Sequence, residues 1–487
     1  MPEHIFNSTK PNSKGAVKII LSDSSSINCG NFCKEETVNE LKSAVRNAKF
    51  NGQFGKSVSI YNGKNRVIVF GTGTKPTPLD LQILGGKIYS QTSCFQEISI
   101  LANSSSKSKL SCSDVACNIA FGIEIGSYRF DKYFTQKSAE EYPMLEKIEF
   151  FAPDGKLDSK DYHNFASVAN AVRYARDLCN EPANYLTPEV FAADIKRLEY
   201  LGLKVNILEE KDLSALNMNM LLSVAQGSHN KPRVAVISWN GDTKSKEWQF
   251  GLVGKGVTFD SGGISLKPAS GMGDMKGDMT GAAVVVSTLK AAALCKIKQN
   301  IVGVVGLVEN MPSGHATRPG DIVTSMSGQT VEIINTDAEG RLVLGDCLWY
   351  LQENYNAKNI IDIATLTGAT MRTFGFEYAG LFSNTDKLAD DLYAQGLLSG
   401  EKLWRLPVTK EYDKLINSDI ADIKNCGPAN AGGITAACFL QRFIKSENNW
   451  AHLDIAGVDR DDKGHPLTPK GATGFGVRLL TKLIKCW

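Results

Sequence analysis

Ile301-Val302-Gly303-Val304-Val305-Gly306-Leu307-Val308 is the stretch that decides the fold class. It has no polar face, so as a strand it must be buried on both sides. Strands of that kind sit in the middle of mostly parallel sheets covered by helices. The sequence around it continues the pattern. Short apolar strands are expected at 203–207, 233–238, 248–253, 359–364 and 452–455, with helical spacing at 280–294, 342–353 and 432–445. This predicts a large C-terminal α/β domain with a mixed, mostly parallel central sheet, in which ligands lie beyond the carboxyl ends of the strands.

Upstream, residues 15–23, 57–61, 66–70 and 95–102 read as β-branched strands, and 36–49 and 78–92 as helices. A smaller N-terminal α/β domain is therefore expected over 1–158. The Ser-rich stretches 24–26 and 103–113 read as surface loops. An amphipathic helix from Ser159 to Leu178, stopped by Asn180-Glu181-Pro182, makes 159–181 a linker, and 182–487 the second domain.

The 487 residues carry 54 basic and 52 acidic side chains, an ordinary globular balance that excludes disorder and coiled coil. Residues 1–150 hold 18 Lys and Arg against 14 Asp and Glu, too slight an excess to announce nucleic acid. Met1 to Lys14 is polar, without an apolar h-region, and no apolar run approaches the roughly 20 residues that cross a bilayer, so neither export nor membrane insertion is expected. Eleven cysteines without a CxxC pair read as reduced thiols, so a cytoplasmic location is expected.

Familiar motifs fail. Gly254-Lys255-Gly256 follows a strand, but Phe259 stands where a dinucleotide fingerprint needs its third glycine, and Pro76 does the same after Gly71 and Gly73. P-loop, GxSxG and HExxH patterns are missing, and the six histidines are dispersed.

Three segments gather carboxylates instead: Gly254-Lys255-Gly256-Val257-Thr258-Phe259-Asp260-Ser261-Gly262-Gly263 running on to Lys267, Met275-Lys276-Gly277-Asp278-Met279-Thr280-Gly281, and Asn335-Thr336-Asp337-Ala338-Glu339-Gly340-Arg341. Singly, each has an ordinary reading: Asp337 as a helix cap, Asp260 as a turn residue, Lys267 as a solvated charge. Together, Asp260, Asp278, Asp337 and Glu339 would bring four negative charges into one partly desolvated site, which cannot stay ionised without cations. Two divalent ions would neutralise it. Lys255 could add a neutral ligand if those cations depressed its pKa, normally about 10.4.

Asn335 to Leu342 (NTDAEGRL) and Gly254 to Gly263 (GKGVTFDSGG) resemble the signature of the leucine aminopeptidase family, two-metal cytosol aminopeptidases, in a bacterial-type form. Asn180 to Pro188, Glu309 to Gly314 and Ala364 to Ala369 strengthen a likeness that spans about 170–480. The resemblance implies Lys255, Asp260, Asp278, Asp337 and Glu339 as ligands of two Mn2+ or Zn2+ ions, with Asp260 and Glu339 bridging. It implies Lys267 and Arg341 as catalytic, with bicarbonate held at Arg341. Met275, Thr365 and Gly368 would line the pocket for the first side chain, Leu or a similar apolar residue, and the Leu366 carbonyl would receive the substrate amine. A homohexamer acting on peptides is implied as well. The stretch Val458-Asp459-Arg460-Asp461-Asp462 after Gly457 departs from an apolar far wall.

Two ions roughly 3.5 to 4 Å apart would acidify a water and polarise the scissile carbonyl, and one would take the free α-amine. Two competing readings remain at this stage. One is a two-metal phosphoesterase, which usually adds histidine ligands that these segments lack. The other is a binding protein using the mildly basic N-terminal part, for instance on DNA.

Overall fold

The computed structural model describes residues 2–6, 17–62, 65–105, 107–153 and 157–487. The chain divides into two compact units, residues 1–169 with 463–470 and residues 170–462 with 471–487.

In the first unit six strands form one sheet, ordered Glu3–Phe6, Lys147–Phe151, Glu97–Leu101, Val17–Ser22, Asn65–Gly71, Ser57–Asn62. All neighbours are parallel except the last pair. Helices Pro78–Thr92 and Cys112–Gly126 pack on each other, and their Leu81, Leu84, Ile88, Val115, Ile119 and Ile123 meet the sheet's Ile19, Ile68, Ile100 and Phe150 in one apolar core. Four expected strands and two expected helices are present. Residues 15 and 16 of the first expected strand lie outside the described residues. The strands Glu3–Phe6 and Lys147–Phe151 and the helix Cys112–Gly126 were not expected. That helix starts inside the stretch read as a loop, because Ser111 and Asp114 form a reciprocal cap: each side chain accepts the other's backbone N–H.

The second unit is built on an eight-stranded sheet, ordered Leu403–Arg405, Ala379–Ser383, Asn449–Asp454, Ala357–Ala364, Trp248–Asp260, Asn300–Asn310, Arg233–Asn240, Lys204–Glu209. The four middle strands run parallel, and the strands flanking them on both sides are antiparallel to them. Asn300–Asn310 contains the deciding stretch and is buried along nearly its whole length. Its even-numbered valines join a core with Val343, Cys347 and Leu351 of the helix Gly340–Tyr355. The helix Thr280–Leu294 is all but wholly buried, as its run of alanine and valine requires.

Three boundaries lie elsewhere than periodicity placed them. The expected helix 432–445 ends at Gln441, and the helix expected to stop at Leu178 continues to Asn180. The strand expected over 248–253 extends to Asp260. No helix of the described residues is long and apolar enough to cross a membrane, and all eleven cysteines are free.

Candidate metal centre

The site forms at the carboxyl ends of the middle strands. Asp260 is the last residue of Trp248–Asp260, and Thr365 follows Ala357–Ala364. Asp278 follows the short 3-10 turn Met272–Gly277, and Asp337 and Glu339 lie just ahead of the helix Gly340–Tyr355. Asp260, Asp278 and Glu339 are buried, and Asp337 is half-buried. Oxygens of Asp260, Asp337 and Glu339 lie within 4.8 Å of one another.

Two lysines meet these acids. Lys255 Nζ is 2.8 Å from both Asp278 Oδ1 and Glu339 Oε1, and it donates to the Thr365 carbonyl at 2.9 Å. Lys267 Nζ is 2.7 Å from Asp260 Oδ2 and also contacts Asp337. Thr365 Oγ1 donates to Asp278 Oδ1 at 2.8 Å.

Electrostatics tests whether such a donor set suits cations. Burial pushes the carboxyls of Asp278, Asp337 and Glu339 above their ordinary range, and neighbouring acids add to the effect. Burial alone would lower the two ammonium groups. The carboxylates facing them outweigh it, so Lys255 and Lys267 are raised. Every one of these shifts is upward, so the cluster holds on to positive charge. Asp278 Oδ2 and Glu339 Oε2 are buried without a hydrogen-bond donor among the described residues. Oxygen donors with spare lone pairs and excess negative charge fit hard or borderline divalent cations.

Glycines let the backbone close around the cluster at two positions. A Cβ on Gly340 would lie 2.7 to 2.8 Å from the Lys255 side chain. Gly262 has φ +88°, and a Cβ there would lie 2.4 Å from the Ser265 carbonyl and 2.9 Å from Asp337 Oδ1.

Of the residues singled out in the sequence, Lys255, Asp260, Lys267, Asp278, Asp337, Glu339 and Thr365 are brought together. Arg341 is buried close by, on the same helix as Gly340, and its Nη1 donates to the Asn425 carbonyl at 2.8 Å. Its Nε has no acceptor among the described residues. Met275 lies on the turn before Asp278, and Gly368 opens the helix Gly368–Phe374 after Leu366. The Met275 carbonyl accepts the Asp278 N–H at 3.3 Å, and the Leu366 N–H donates to Asp454 Oδ1 at 3.1 Å.

Sequence reasoning passed over the residues that hold the site in shape. Asn310 Nδ2 donates to Asp260 Oδ1 at 2.8 Å and to the Thr336 carbonyl at 3.0 Å. Asn425 links the loop through the Asn335 carbonyl and the Ile334 N–H, each at 2.8 Å. Buried Asp454 fixes the loop after Thr365, accepting from Thr367 Oγ1 and Thr370 Oγ1 at 2.6 Å each. Asn310 falls within the quoted Glu309 to Gly314 segment, whereas Asn425 and Asp454 stand in no carboxylate-rich stretch and gave no signal.

Residues 173–481 match the cytosol aminopeptidase family, catalytic domain. A probable cytosol aminopeptidase of Brucella suis biovar 1 (strain 1330) is 47% identical over 445 residues, covering 90% of this chain and 88% of its own. One from Rickettsia felis is 47% identical over 456 residues, covering 91% of each. Among solved structures, a mutant of tomato leucine aminopeptidase aligns with TM-score 0.87 and 31% identity over 100% of this chain and 97% of its own. The bottromycin maturation enzyme BotP in complex with Mn aligns with TM-score 0.85 and 31% identity, over 97% and 99%. These likenesses favour a peptidase over a phosphoesterase, and with a carboxylate cluster suited to divalent ions the chain belongs to the cytosol aminopeptidase family, metal-dependent hydrolases that remove residues from the N-termini of peptides.

Proposed function

We propose that this aminopeptidase works with two Mn2+ or Zn2+ ions held by Asp260, Asp278, Asp337, Glu339 and Lys255, with Asp260 and Glu339 shared between them. The observation that carries the reading is the approach of the Asp260, Asp337 and Glu339 oxygens to within 4.8 Å, next to buried carboxylate oxygens that lack donors. BotP, similar over nearly the whole chain, is described in complex with Mn. When bound, such ions supply Lewis acidity to the scissile carbonyl and acidify the attacking water.

The chain's own groups do the rest. Lys267, an ammonium held at the edge of the cluster, donates to the oxyanion that develops on the scissile carbonyl. Arg341 presents buried N–H donors to an anion, bicarbonate in this reading, which offers a proton acceptor where the three segments provide no histidine. Asp278 and the Leu366 carbonyl accept hydrogen bonds from the substrate's free α-amine, which restricts cleavage to the first residue. Met275, Thr365 and Gly368 line the pocket for that residue's side chain, and Leu or a similar apolar residue fills it.

In the same proposal residues 1–158 form an N-terminal α/β domain, 159–181 a linker and 182–487 the catalytic domain. The assembly is a homohexamer acting in the cytoplasm, in keeping with relatives named for the cytosol. Crystals grown with manganese, and separately with zinc, test the metal assignment through anomalous scattering. Two peaks between Asp260 and Glu339 are expected, and none at these residues would refute it.

A further inference from the structure

The turn after the strand Asn449–Asp454 touches both walls of the pocket assigned above. Gly457 has φ +100°, and a Cβ on it would lie 2.6 Å from the Gly375 carbonyl and 3.1 Å from Met371 Cγ, at the end of the helix that Gly368 begins. Two residues on, Asp459 Oδ2 lies 3.9 Å from where a Cβ on Gly277 would stand, at the end of the turn that carries Met275. The turn therefore packs through Gly457 against the end of the Gly368 helix and sets the Asp459 carboxylate beside Gly277, the residue before Asp278.

Asp459 is held firmly. Its N–H donates to the Ile455 carbonyl at 3.2 Å, its carbonyl accepts from Thr473 N–H at 2.9 Å, and its Oδ1 accepts from Gly457 N–H at 3.2 Å. It has no ion-pair partner among the described residues. The adjacent Arg460 is engaged by Asp274 and Asp462, and Lys276 donates to the Asn180 carbonyl at 2.8 Å. Burial pushes its pKa up to about 6, against the pull of backbone donors and Arg460, which leaves it ionised at neutral pH. Its Oδ2 accepts no hydrogen bond from the described residues, and a held carboxylate with one oxygen open can receive a cation or a strong hydrogen-bond donor.

We propose that Asp459 forms the far end of the pocket for the first side chain and extends the enzyme's range to peptides beginning with Arg or Lys, whose apolar stems follow the Met275 wall while the charged tip meets the carboxylate. This rests on the aminopeptidase site assigned above and names a substrate class for it.

The test compares kcat/KM of the manganese-loaded full chain on N-terminal arginine, citrulline and leucine 4-nitroanilides at pH 7.5. Citrulline keeps the shape of arginine without its charge. The wild type should favour arginine over citrulline by roughly ten- to hundredfold, the range of one charge-assisted hydrogen bond, and D459N should bring the ratio to within about twofold of unity. Equal rates for arginine and citrulline in the wild type, with leucine cleaved, would overturn the role of Asp459 and leave the aminopeptidase site standing. An unchanged ratio in D459N would do the same. Failure to cleave all three would overturn the site assignment, and this inference with it.

Discussion

Lys255 and Asp260 lie five residues apart on one strand, yet both reach the same carboxylate cluster. Strict alternation would send them to opposite faces of the sheet. The register explains the exception: Val308 pairs with Val257 but Asn310 pairs with Asp260, so the strand carries one extra residue between them. That bulge restores the side-chain direction and lets one strand end supply both a lysine and a carboxylate.

The first prediction follows from the cluster. Asp260→Ala or Glu339→Ala should abolish hydrolysis and lower the metal bound after dialysis, because each would remove a ligand proposed to be shared by both ions. Metal analysis beside the activity assay checks it, and full metal content with a near wild-type rate would remove these residues from the site.

In the proposed mechanism Lys267 acts only once charge develops on the substrate. Lys267→Ala should cut kcat by about 100- to 1,000-fold while changing KM far less. Steady-state kinetics on leucine 4-nitroanilide decide this, and a change confined to KM would assign Lys267 to ground-state binding.

Gly340 is fixed by space. With 2.7 Å between a Cβ and the Lys255 side chain, Gly340→Ala must push Lys255 away from Asp278 and Glu339. Overpacking of this kind costs about 1 to 3 kcal/mol, so the variant should melt several degrees lower and bind metal more weakly. Wild-type melting and wild-type metal affinity together would show that the lysine has room to spare.

Asp346 caps a helix from outside. Fully buried, it accepts the Leu221 N–H at 3.0 Å at the start of Asn219–Ala225, where Met218 has no capping group to offer, and the Met326 N–H at 2.8 Å. Burial pushes its pKa up to about 7 from 3.8 despite these donors. A folded-state pKa raised in an acid means the native state keeps a proton that the unfolded chain releases between about pH 4 and 7. Its contribution is therefore whole at low pH and is lost as pH rises through that window. Comparing urea unfolding of the wild type and D346N, the advantage of the wild type should shrink by roughly 3 kcal/mol between pH 5 and pH 7.5. A pH-independent difference would mean that Asp346 is ionised throughout.

How much of this was legible depended on whether the signal was local. The doubly buried strand announced itself in Ile301 to Val308, and the ligand-bearing segments stood out because acids in glycine-rich turns are costly to keep close. The strands Ala379–Ser383 and Leu403–Arg405 at one end of the sheet were not anticipated, since strands of five and three residues carry little periodicity. The strand Lys147–Phe151 was missed because its alternation of Lys147, Ile148, Glu149 and Phe150 spans only five residues. Asn310, Asn425 and Asp454 act through partners distant in sequence, Asp454 joining Thr367 across 87 residues. Nothing in their immediate neighbours could reveal that.

The central claim is that the site acts only on a peptide with a free N-terminus. In the proposed site, blocking the amine would remove its hydrogen bonds to Asp278 and the Leu366 carbonyl, and an unpaired buried acceptor alone costs about 1 to 3 kcal/mol. The decisive measurement offers Leu-Gly-Gly and acetyl-Leu-Gly-Gly to the manganese-loaded protein and follows release of the first residue by mass spectrometry. The account predicts cleavage of the free peptide and an inert acetylated one, and comparable rates on both would contradict it.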